Sequence, residues 1–325
     1  MNNVDKQHIE LIEKILSEGN KKKDRTGVGT KSIFGHQLRY NMSDGFPLLT
    51  LRKIHIRSFI HELLWFLGSF DEEYDEYGNT NIFYLLKNRV TYWSYWPYQH
   101  YVKSMKYRPE LPNLTLKQFE SKILYDKDFA KEFGSIGKGY GHQWINYGRK
   151  IEHDKNGKIS FFPGINQIDY LIDELKNNPD SRRMILDSWK SDEIDDILLP
   201  PCHYSFQLYT QLTDSGKRKL SLKLHLRSSD SGIGNPYNVA QYAILLHMFA
   251  QVVDMIPYEL IVDIGDAHIY NNHIDQLKTI ITRDGYPLPM IKLNQNIKNI
   301  YDFRYEDIVI ENYQHHSHVK MEVAV

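Results

Sequence analysis

Residues 220–226 alternate strictly between leucine and a polar residue (LSLKLHL), and this pattern constrains the fold more than any other stretch of the chain. Successive side chains of a β-strand point to opposite faces of a sheet, so the four leucines predict a strand with one buried face. Further strands are predicted at 32–40, 184–189, 204–209 and 260–264, and helices at 5–18, 55–68, 165–178 and 239–255. Because turns such as 214–217 join these strands in place of regular βαβ units, the sequence predicts an α+β fold.

Composition narrows the classes of protein to which the chain can belong. Its 325 residues could form one large domain or two small ones, and 41% hydrophobic residues suffice for a sizeable core. A formal net charge of −1 argues against a general nucleic-acid or membrane-surface binder. The single cysteine excludes an internal disulfide framework and a multi-cysteine metal site. We therefore expect a cytoplasmic protein, since no apolar run resembles a signal peptide or a membrane span.

The only cysteine, Cys202, lies in the segment 199–203 (LPPCH). Each proline fixes φ and pushes the residue before it toward extended geometry, so the chain reaches Cys202 stiffly, out of a loop and into the strand at 204–209. A thiol on a braced turn beside His203 suits a nucleophile, because the reactive thiolate needs a positive or hydrogen-bonding neighbourhood. From these residues alone, a buried cysteine that acts as a small hydrophobe is the alternative.

Two further features lie in the first half of the chain. Glu62 lies beside the apolar stripe of the helix predicted at 55–68, where a hydrophobic wall raises the pKa of a carboxyl and lets it donate or relay a proton. The alternative is that Glu62 faces solvent. The loop at 133–141 (FGSIGKGYG) is rich in glycine, but Lys138 lacks the spacing and the following Ser or Thr of a Walker A motif. A triphosphate-cradling loop is therefore not predicted.

Several polar residues at loop and strand ends suit a nucleotide. Guanidinium forks bind phosphate oxygens bidentately. The candidates for a phosphate site are Arg25, Arg182, Arg183, Arg227 and Ser228. The amide of Asn238 matches the O4 and N3–H edge of a uracil, because it both accepts and donates. His268 and Tyr270 lie two apart at a strand end, so both can face one pocket and bind a sugar hydroxyl.

The alternative for each of these polar residues is an ordinary capping or core position. The lysines at 21–23 are interpreted as a solvated face, because charge runs usually are.

A set of motifs along the chain resembles the thymidylate synthase family. The motifs are DRTG at 24–27, FGHQ at 34–37, HELLWF at 61–66, DSRR at 180–183, PPCH at 200–203, RSSD at 227–230, GNPYNV at 234–239, GDAHIY at 265–270 and KMEVAV at 320–325. They occur in the family's order and rough spacing over nearly the whole chain. Each motif alone is weak, whereas the set is specific.

The resemblance implies a single domain over residues 1–325, with a large mixed or antiparallel sheet that is packed by helices and uses one face as a homodimer interface. Residues 98–133 fall where some family members carry an insertion. Family members methylate dUMP reductively to dTMP, with 5,10-methylenetetrahydrofolate as the donor of carbon and hydride. The implied partners are dUMP, this folate cosubstrate and a second copy of the chain. No metal, membrane or nucleic acid is expected.

The resemblance also implies roles for the matched residues. The residues implied to be catalytic are Cys202, Glu62, Tyr140, Asn238 and Asp230. Cys202 attacks C6 of the uracil, Glu62 handles protons, and Tyr140 helps to remove the C5 proton. The residues implied to bind the nucleotide are Arg25, His203, Arg227, Ser228, Asn238, His268 and Tyr270, with Arg182 and Arg183 from the other subunit. The residues implied for the folate are Arg52, His55, Trp93, Trp96, Asp230 and Val325.

Some of these roles are more specific. His203 is expected to line the pocket and order water, and not to serve as the base of a Cys–His dyad. Asp230 would bind the pterin, and Arg52 would meet the glutamate tail of the folate. Val325 would close over the complex and exclude water.

Four positions depart from the usual family pattern. Leu226 stands where a glutamine usually precedes the phosphate arginine, and Ser94 stands where an acidic or amide residue is usual. Ile145 replaces a common arginine, and Lys190 replaces an asparagine. These departures concern folate geometry and hydride delivery more than nucleotide binding.

The sequence leaves two alternatives open. A deoxyuridylate hydroxymethylase would use the same nucleotide, folate and cysteine, but water would capture the methylene intermediate; such enzymes also lack the glutamine that Leu226 replaces. Trp93 and the family-like C-terminus favour the synthase, because both shield that intermediate. The second alternative is a non-catalytic nucleotide- or RNA-binding relative, to which only the lysines at 21–23 point.

Overall fold

The structure is a computed structural model that describes residues 1–24, 26–148, 150–153, 155 and 159–322, with only the backbone described at 150–153 and 159–162. The helices are α1 (Asn3–Glu18), α2 (Ile56–Leu67), α3 (Phe83–Lys87), α4 (Tyr95–Ser104), α5 (Leu116–Tyr125), α6 (Lys127–Phe133), α7 (Tyr140–Asn146), α8 (Gln167–Asn177), α9 (Gly234–Val252) and α10 (Ile274–Ile280). The strands are β1 (Asn20–Lys22), β2 (Thr30–Asn41), β3 (Lys150–His153), β4 (Ile159–Phe162), β5 (Ile185–Asp187), β6 (His203–Leu212), β7 (Arg218–Asp230), β8 (Ile256–Tyr270), β9 (Met290–Leu293) and β10 (Ile308–Glu311).

A six-stranded sheet in the order β1-β2-β8-β7-β6-β5 forms the centre of the described fold. Its neighbouring strands are antiparallel except β7 and β8, which run parallel. Parallel neighbours need a crossover connection, and α9 provides it. The mixed, mostly antiparallel sheet packed by helices confirms the predicted α+β class.

The core lies between this sheet and α9. The leucines of the alternating pattern in β7 are at most 2% exposed, which confirms the predicted buried face. Ile244, Leu245 and Leu246 of α9 are fully buried, and α9 packs against β7 and β8. Because burying such a side chain stabilises the fold by about 1.5–3 kcal/mol, α9 and the sheet hold each other in place.

Along β7 and β8, the residues that face the core switch once between even and odd numbers. In β8 the buried residues are even-numbered up to Ile264 and odd-numbered from Ala267 onward. In β7 the inward leucines end at Leu226, and the next buried residue is Ser229. The even-numbered residues at the ends of both strands are thereby turned away from the core.

The change of parity coincides with an interruption of the strand pairing. Regular pairing skips Gly35 in β2, Gly265 in β8 and Arg227 in β7, which lie at one level of the sheet. Gly35 has φ of +85°, which favours glycine. A Cβ on Gly265 would lie 2.8 Å from the carbonyl oxygen of Arg227, so the two backbones need this close approach. Each strand thus carries one extra residue at this level, as in a β-bulge.

Several predicted boundaries were wrong. Helix α9 begins at Gly234 and not at 239. The Asp230 carboxylate accepts hydrogen bonds from the amides of Gly232 and Ile233 just before this helix, and Pro236 is tolerated in a first turn. Strand β8 continues past Gly265 to residue 270, because that glycine forms the bulge and does not end the strand. The strand predicted at 184–189 is reduced to β5.

Residues 98–133 include the end of α4 together with α5 and α6. Their aromatic rings pack on one another, with Tyr101 against Phe119, Phe129 and Phe133. That this segment is an insertion stays a prediction. Among the described helices, none combines the length and the apolar character that a bilayer crossing requires.

Leu246→Ala should lower the free energy of unfolding by about 2–5 kcal/mol, because it leaves a cavity between α9 and the sheet. Urea denaturation measures this change. The matched control is Leu212→Ala at the exposed end of β6, which should change the free energy of unfolding by less than about 0.5 kcal/mol. Equal effects of the two substitutions would contradict the described core.

Candidate active site

Cys202 immediately precedes β6, where its backbone is held from two sides. Its amide donates a hydrogen bond to the hydroxyl oxygen of Tyr140 (2.8 Å), and its carbonyl oxygen accepts one from the amide of Arg227 (2.9 Å). The Arg227 guanidinium donates to the carbonyl oxygens of Pro200 and Pro201, both at 2.8 Å. Its Nη2 also lies 3.7 Å from Cys202 Sγ. A positive group beside the sulfur favours the thiolate, which is the nucleophilic form.

A cavity of about 410 Å³ opens beside the Cys202 thiol. Its lining residues are Lys22, Lys23, Asp24, Thr26, Thr30, Leu199, Cys202, Arg227, Ser228, Asp230, Asp266, His268 and Tyr270. The interruption of the strand pairing at Gly35, Arg227 and Gly265 explains why these residues lie together, because it turns the ends of β7 and β8 toward the cavity. Six of the predicted site residues therefore line one cavity, namely Cys202, Arg227, Ser228, Asp230, His268 and Tyr270.

His268 lies on a charged wall of this cavity. Its Nδ1 is 3.4 Å from Asp266 Oδ1 and 3.4 Å from Ser228 Oγ, and Lys22 donates to Asp266 Oδ2 at 2.7 Å. The hydrogen bond from His268, followed by that from Lys22, lowers the pKa of Asp266 to about 2. Burial alone would lower the pKa of His268, but the hydrogen bond to Asp266 and the charge of Asp230 raise it above the ordinary value. With Nδ1 turned to the wall, Nε2 is the nitrogen that can meet a ligand.

Arg52 and Asp230 hold the turn that leads into α9. Asp230 Oδ1 accepts from the amides of Gly232 (2.9 Å) and Ile233 (3.3 Å), and Arg52 Nη2 donates to the carbonyl oxygen of Gly232 (2.7 Å). Arg52 is buried, and within the described residues its Nε has no hydrogen-bond partner. His55 is exposed at the start of α2, with its ring 5.4 Å from that of His318.

A buried carboxyl lies behind the cavity. Glu62 is only 7% exposed, so it faces the interior and not solvent. Burial raises the pKa of Glu62 to about 7, although the hydrogen bond from Trp93, followed by the nearby polar groups of Tyr92 and Gln241, partly offsets that rise. The indole nitrogen of Trp93 donates to Glu62 Oε1 at 2.5 Å, and the Trp93 ring lies 5.4 Å from that of Trp96. A carboxyl in this environment can both take and release a proton near neutral pH.

Tyr140 joins this buried group to the nucleophile. Its ring stacks on Phe66 at 4.7 Å, and its hydroxyl oxygen receives the amide of Cys202. Burial, followed by the charge of the Cys202 sulfur, raises the pKa of Tyr140 well above its ordinary value. Tyr140 therefore stays a phenol, whose proton remains available to a ligand.

His203 contacts the site through Tyr140. Its ring lies 4.2 Å from that of Tyr140, and its Nδ1 is 2.8 Å from the Tyr242 hydroxyl. Burial lowers the pKa of His203 to about 3, so the imidazole is neutral at physiological pH. Such a ring cannot stabilise a thiolate by charge. The expectation that His203 lines the pocket stays a prediction.

Asn238 lies on α9, half-buried and outside the residues that line the cavity. Within the described residues its side-chain amide makes no hydrogen bond. Tyr242, which the sequence analysis missed, lies four residues later on the same face of α9. The signal that could have revealed Tyr242 is this spacing, because it places a phenol next to a candidate base-reading amide.

Other predicted residues lie elsewhere. Arg182 and Arg183 are exposed before β5 and do not line the cavity. The amide of Leu208 bonds the carbonyl of Met184, and Leu208 is six residues from Cys202, or about 20 Å along an extended strand. Neither arginine reaches the cavity of its own chain. Arg25 and Val325 lie outside the described residues.

The four departures from the family pattern also have definite places. Leu226 and Ser94 are buried, and Ile145 is half-buried. Lys190 contacts Asp192 and Glu193, in a cluster that the sequence analysis did not anticipate. No group of three or more His, Cys, Asp or Glu side chains among the described residues could hold a metal ion.

A thiol beside a guanidinium at a polar cavity, backed by a buried carboxyl and a phenol, defines an enzyme that works by covalent catalysis. A family model described as thymidylate synthase matches residues 6–325. The thymidylate synthase of Aster yellows witches'-broom phytoplasma (strain AYWB) is 45% identical over 98% of this chain and 99% of its own. Those of Phytoplasma mali (strain AT) and Mycoplasma mobile are 44% and 43% identical with the same coverage.

The chain belongs to the thymidylate synthase family, which confirms the resemblance drawn from the motifs. Each of these relatives is named as a synthase, so the comparisons give no support to the hydroxymethylase or to the non-catalytic RNA binder.

Glu62→Gln should stabilise the folded protein at alkaline pH. Because the folded pKa of about 7 lies above the ordinary 4.5, folding opposes ionisation of Glu62, and stability is lost as the pH rises from 4.5 to 7. At pH 8 the cost is about 3 kcal/mol, and the uncharged glutamine avoids it. Urea denaturation at pH 5 and pH 8 measures the difference. A gain that is the same at both pH values would contradict a buried, ionising carboxyl, and the exposed Glu13→Gln is the control.

Proposed function

We propose that the chain catalyses the reductive methylation of dUMP to dTMP, with 5,10-methylenetetrahydrofolate as the donor of carbon and hydride. The observation that carries the proposal is the position of Cys202, with its thiol beside Arg227 and its amide bonded to Tyr140, at the edge of a cavity lined by charged and polar groups. The location proposed for this activity is the cytoplasm.

Cys202 acts as the nucleophile. Its thiolate forms a bond to C6 of the uracil, and the electron pair of the C5–C6 double bond then makes C5 the nucleophile toward the methylene carbon. A water held by the phenol of Tyr140 takes the proton that leaves C5, because the phenol itself stays protonated. The bond from the methylene carbon to the folate nitrogen then breaks, and a hydride from the folate reduces the methylene to a methyl group, which leaves dihydrofolate. Departure of the Cys202 thiolate from C6 restores the C5–C6 double bond and the enzyme.

Glu62 moves protons at the far side of the base. Its pKa near neutrality lets it protonate O4 of the uracil as charge develops there and take the proton back later. Trp93 fixes the carboxylate by its indole N–H. The neutral His203 orients Tyr140 and adds no charge.

The nucleotide is held by groups from β7, β8 and α9. Arg227 and Ser228 bind the phosphate, assisted by Arg25. His268 and Tyr270 bind the sugar hydroxyl, and the open amide of Asn238 reads the O4 and N3–H edge of the uracil.

The folate supplies the one-carbon unit and the hydride. Trp93 and Trp96 offer flat walls to its rings, and Asp230 faces the pterin. His55 is exposed and suits the outer part of this site. Arg52 bonds the Gly232 carbonyl in this structure, so it would have to exchange that bond for the glutamate tail. Val325 closes over the bound pair.

A homodimer completes the site. The sheet face away from α9 carries a groove of about 800 Å³, and exposes large side chains such as Phe34 (88%) and Tyr209 (65%). An exposed apolar surface of this kind is typical of a protein interface. Twofold symmetry would bring Arg182 and Arg183 of one protomer to the phosphate of its partner.

Incubation with dUMP and methylenetetrahydrofolate should give dTMP and dihydrofolate, seen as the absorbance rise of dihydrofolate. Cys202→Ser should abolish turnover and leave dUMP binding by calorimetry within about twofold, because the phosphate and base contacts remain. Hydroxymethyl-dUMP with tetrahydrofolate as products, or activity in Cys202→Ser, would overturn the proposal.

Mixing two inactive variants tests the shared site. Cys202→Ser lacks the nucleophile, and an Arg182→Ala, Arg183→Ala double variant lacks the donated cations. After random exchange half of the dimers are mixed, and each has one intact site of two, so about a quarter of the wild-type activity should return. No recovery, with exchange verified by a tag, would show that the arginines act within their own chain.

A further inference from the structure

A buried cluster of charges lies beside the catalytic loop. Glu193, in the 3₁₀ turn Ser191–Asp196, is almost fully buried, and its Oε1 lies 3.2 Å from Lys138 Nζ and 3.5 Å from Lys190 Nζ. Its Oε2 accepts from Gln143 Nε2 at 2.9 Å. We call these four side chains (Lys138, Gln143, Lys190 and Glu193) the Glu193 cluster. The mechanism proposed above uses none of them.

The cluster keeps a carboxylate charged in the interior. Burial alone would raise the pKa of Glu193, but hydrogen bonds from Gln143 and Lys138 and the charges of Lys138 and Lys190 outweigh it and lower the pKa below its ordinary value. Removing one member of a buried charge group leaves another without compensation, which is strongly unfavourable. The cluster therefore fixes its members in position.

Two members of the cluster flank Tyr140 in sequence. Lys138 lies two residues before Tyr140 and Gln143 three residues after it, and Gln143 Nε2 also donates to the carbonyl oxygen of Lys138 at 2.9 Å. Both ends of the short segment around Tyr140 are thus tied to Glu193. A shift of Glu193 would move Tyr140 with them.

The same turn is bonded to the segment that leads to Cys202. The Lys138 amide donates to the carbonyl oxygen of Asp196 (3.1 Å), and the Leu198 amide donates to that of Ile136 (3.0 Å). Leu198 lies four residues before Cys202. The glycine loop and the approach to the nucleophile are therefore held against each other by the Glu193 turn.

The backbone of the loop needs such support. Gly137 has φ of +82°, and a Cβ there would lie 2.0 Å from the carbonyl oxygen of Asp196. Tyr140 itself has φ of +20°, which is rare for a residue with a side chain. Strained backbone persists only when its surroundings over-determine it.

We propose that Glu193 is a positioning residue for Tyr140: its ion pairs with Lys138 and Lys190 and its bond to Gln143 hold the Tyr140 hydroxyl on the amide of Cys202. Lys190, where the family usually has an asparagine, supplies the second cation. This inference rests on the proposed function, because it assigns a support to a residue that acts in that reaction.

Glu193→Gln keeps the shape of the side chain and removes its charge. It should lower kcat about 10- to 100-fold, because small displacements of a reacting group have effects of this size. The Kd of dUMP should stay within about twofold, because no cluster member lines the cavity. The matched control is Glu76→Gln, since Glu76 also bridges two lysines, but its side chain is 35% exposed and its ion pairs join it to Lys127 and Lys131 of α6 and not to the segment around Tyr140. It should leave kcat unchanged.

A double-mutant cycle with Tyr140→Phe separates positioning from general destabilisation. If Glu193 acts through Tyr140, Glu193→Gln should lower kcat by less than about twofold in the Tyr140→Phe background. Multiplicative losses, or an unchanged kcat in Glu193→Gln, would overturn the inference. If Glu193→Gln does not fold, Lys138→Met at the exposed end of the cluster enters the same cycle. Full activity of Tyr140→Phe alone would instead refute the role proposed for Tyr140.

Discussion

The hydrogen bond from the amide of Cys202 to the hydroxyl of Tyr140 joins the two halves of the site. On one side, the ends of β7 and β8 carry the polar residues of the cavity. On the other side, α2, α7 and α9 carry the buried carboxyl and the phenols, and the neutral imidazole at the start of β6 packs against the phenols. Neither half is complete alone, because the thiol belongs to the first and its proton-handling neighbours to the second. The fold therefore places the start of β6 against the start of α7.

Burial determines the properties of one half of the site, and charge determines those of the other. Near Glu62 and His203, low polarity sets the protonation states, so that a carboxyl titrates near neutral pH and an imidazole stays uncharged. In the cavity, full charges dominate, with Asp266 ionised between Lys22 and His268 and with Arg227 beside the thiol. An anionic ligand suits the charged half, whereas proton transfer suits the buried half. The arrangement therefore gives one small site a region that suits an anion and a region that suits proton transfer.

The sequence predicted the α+β class, the buried face of β7 and the braced approach to Cys202, because alternation and proline geometry are local properties of the chain. It misplaced the end of β8, since the bulging Gly265 acts through Arg227, which is distant in sequence. It also misplaced the start of α9, although the Asp230 carboxylate bonds amides that are close to it in sequence. The family motifs nominated the cavity residues. They gave no indication of the Glu193 cluster, because Lys138 and Lys190 meet that carboxylate only in the folded chain.

The bulge level shared by Gly35, Arg227 and Gly265 also bears on which length changes this chain can accept. The three strands keep their register only because each carries its extra residue at the same level. A deletion in one strand alone would slide its end by one position against the other two and exchange its faces there. Insertions and deletions in this part of the sheet are thus coupled across segments some 200 residues apart, whereas loops elsewhere can vary in length independently.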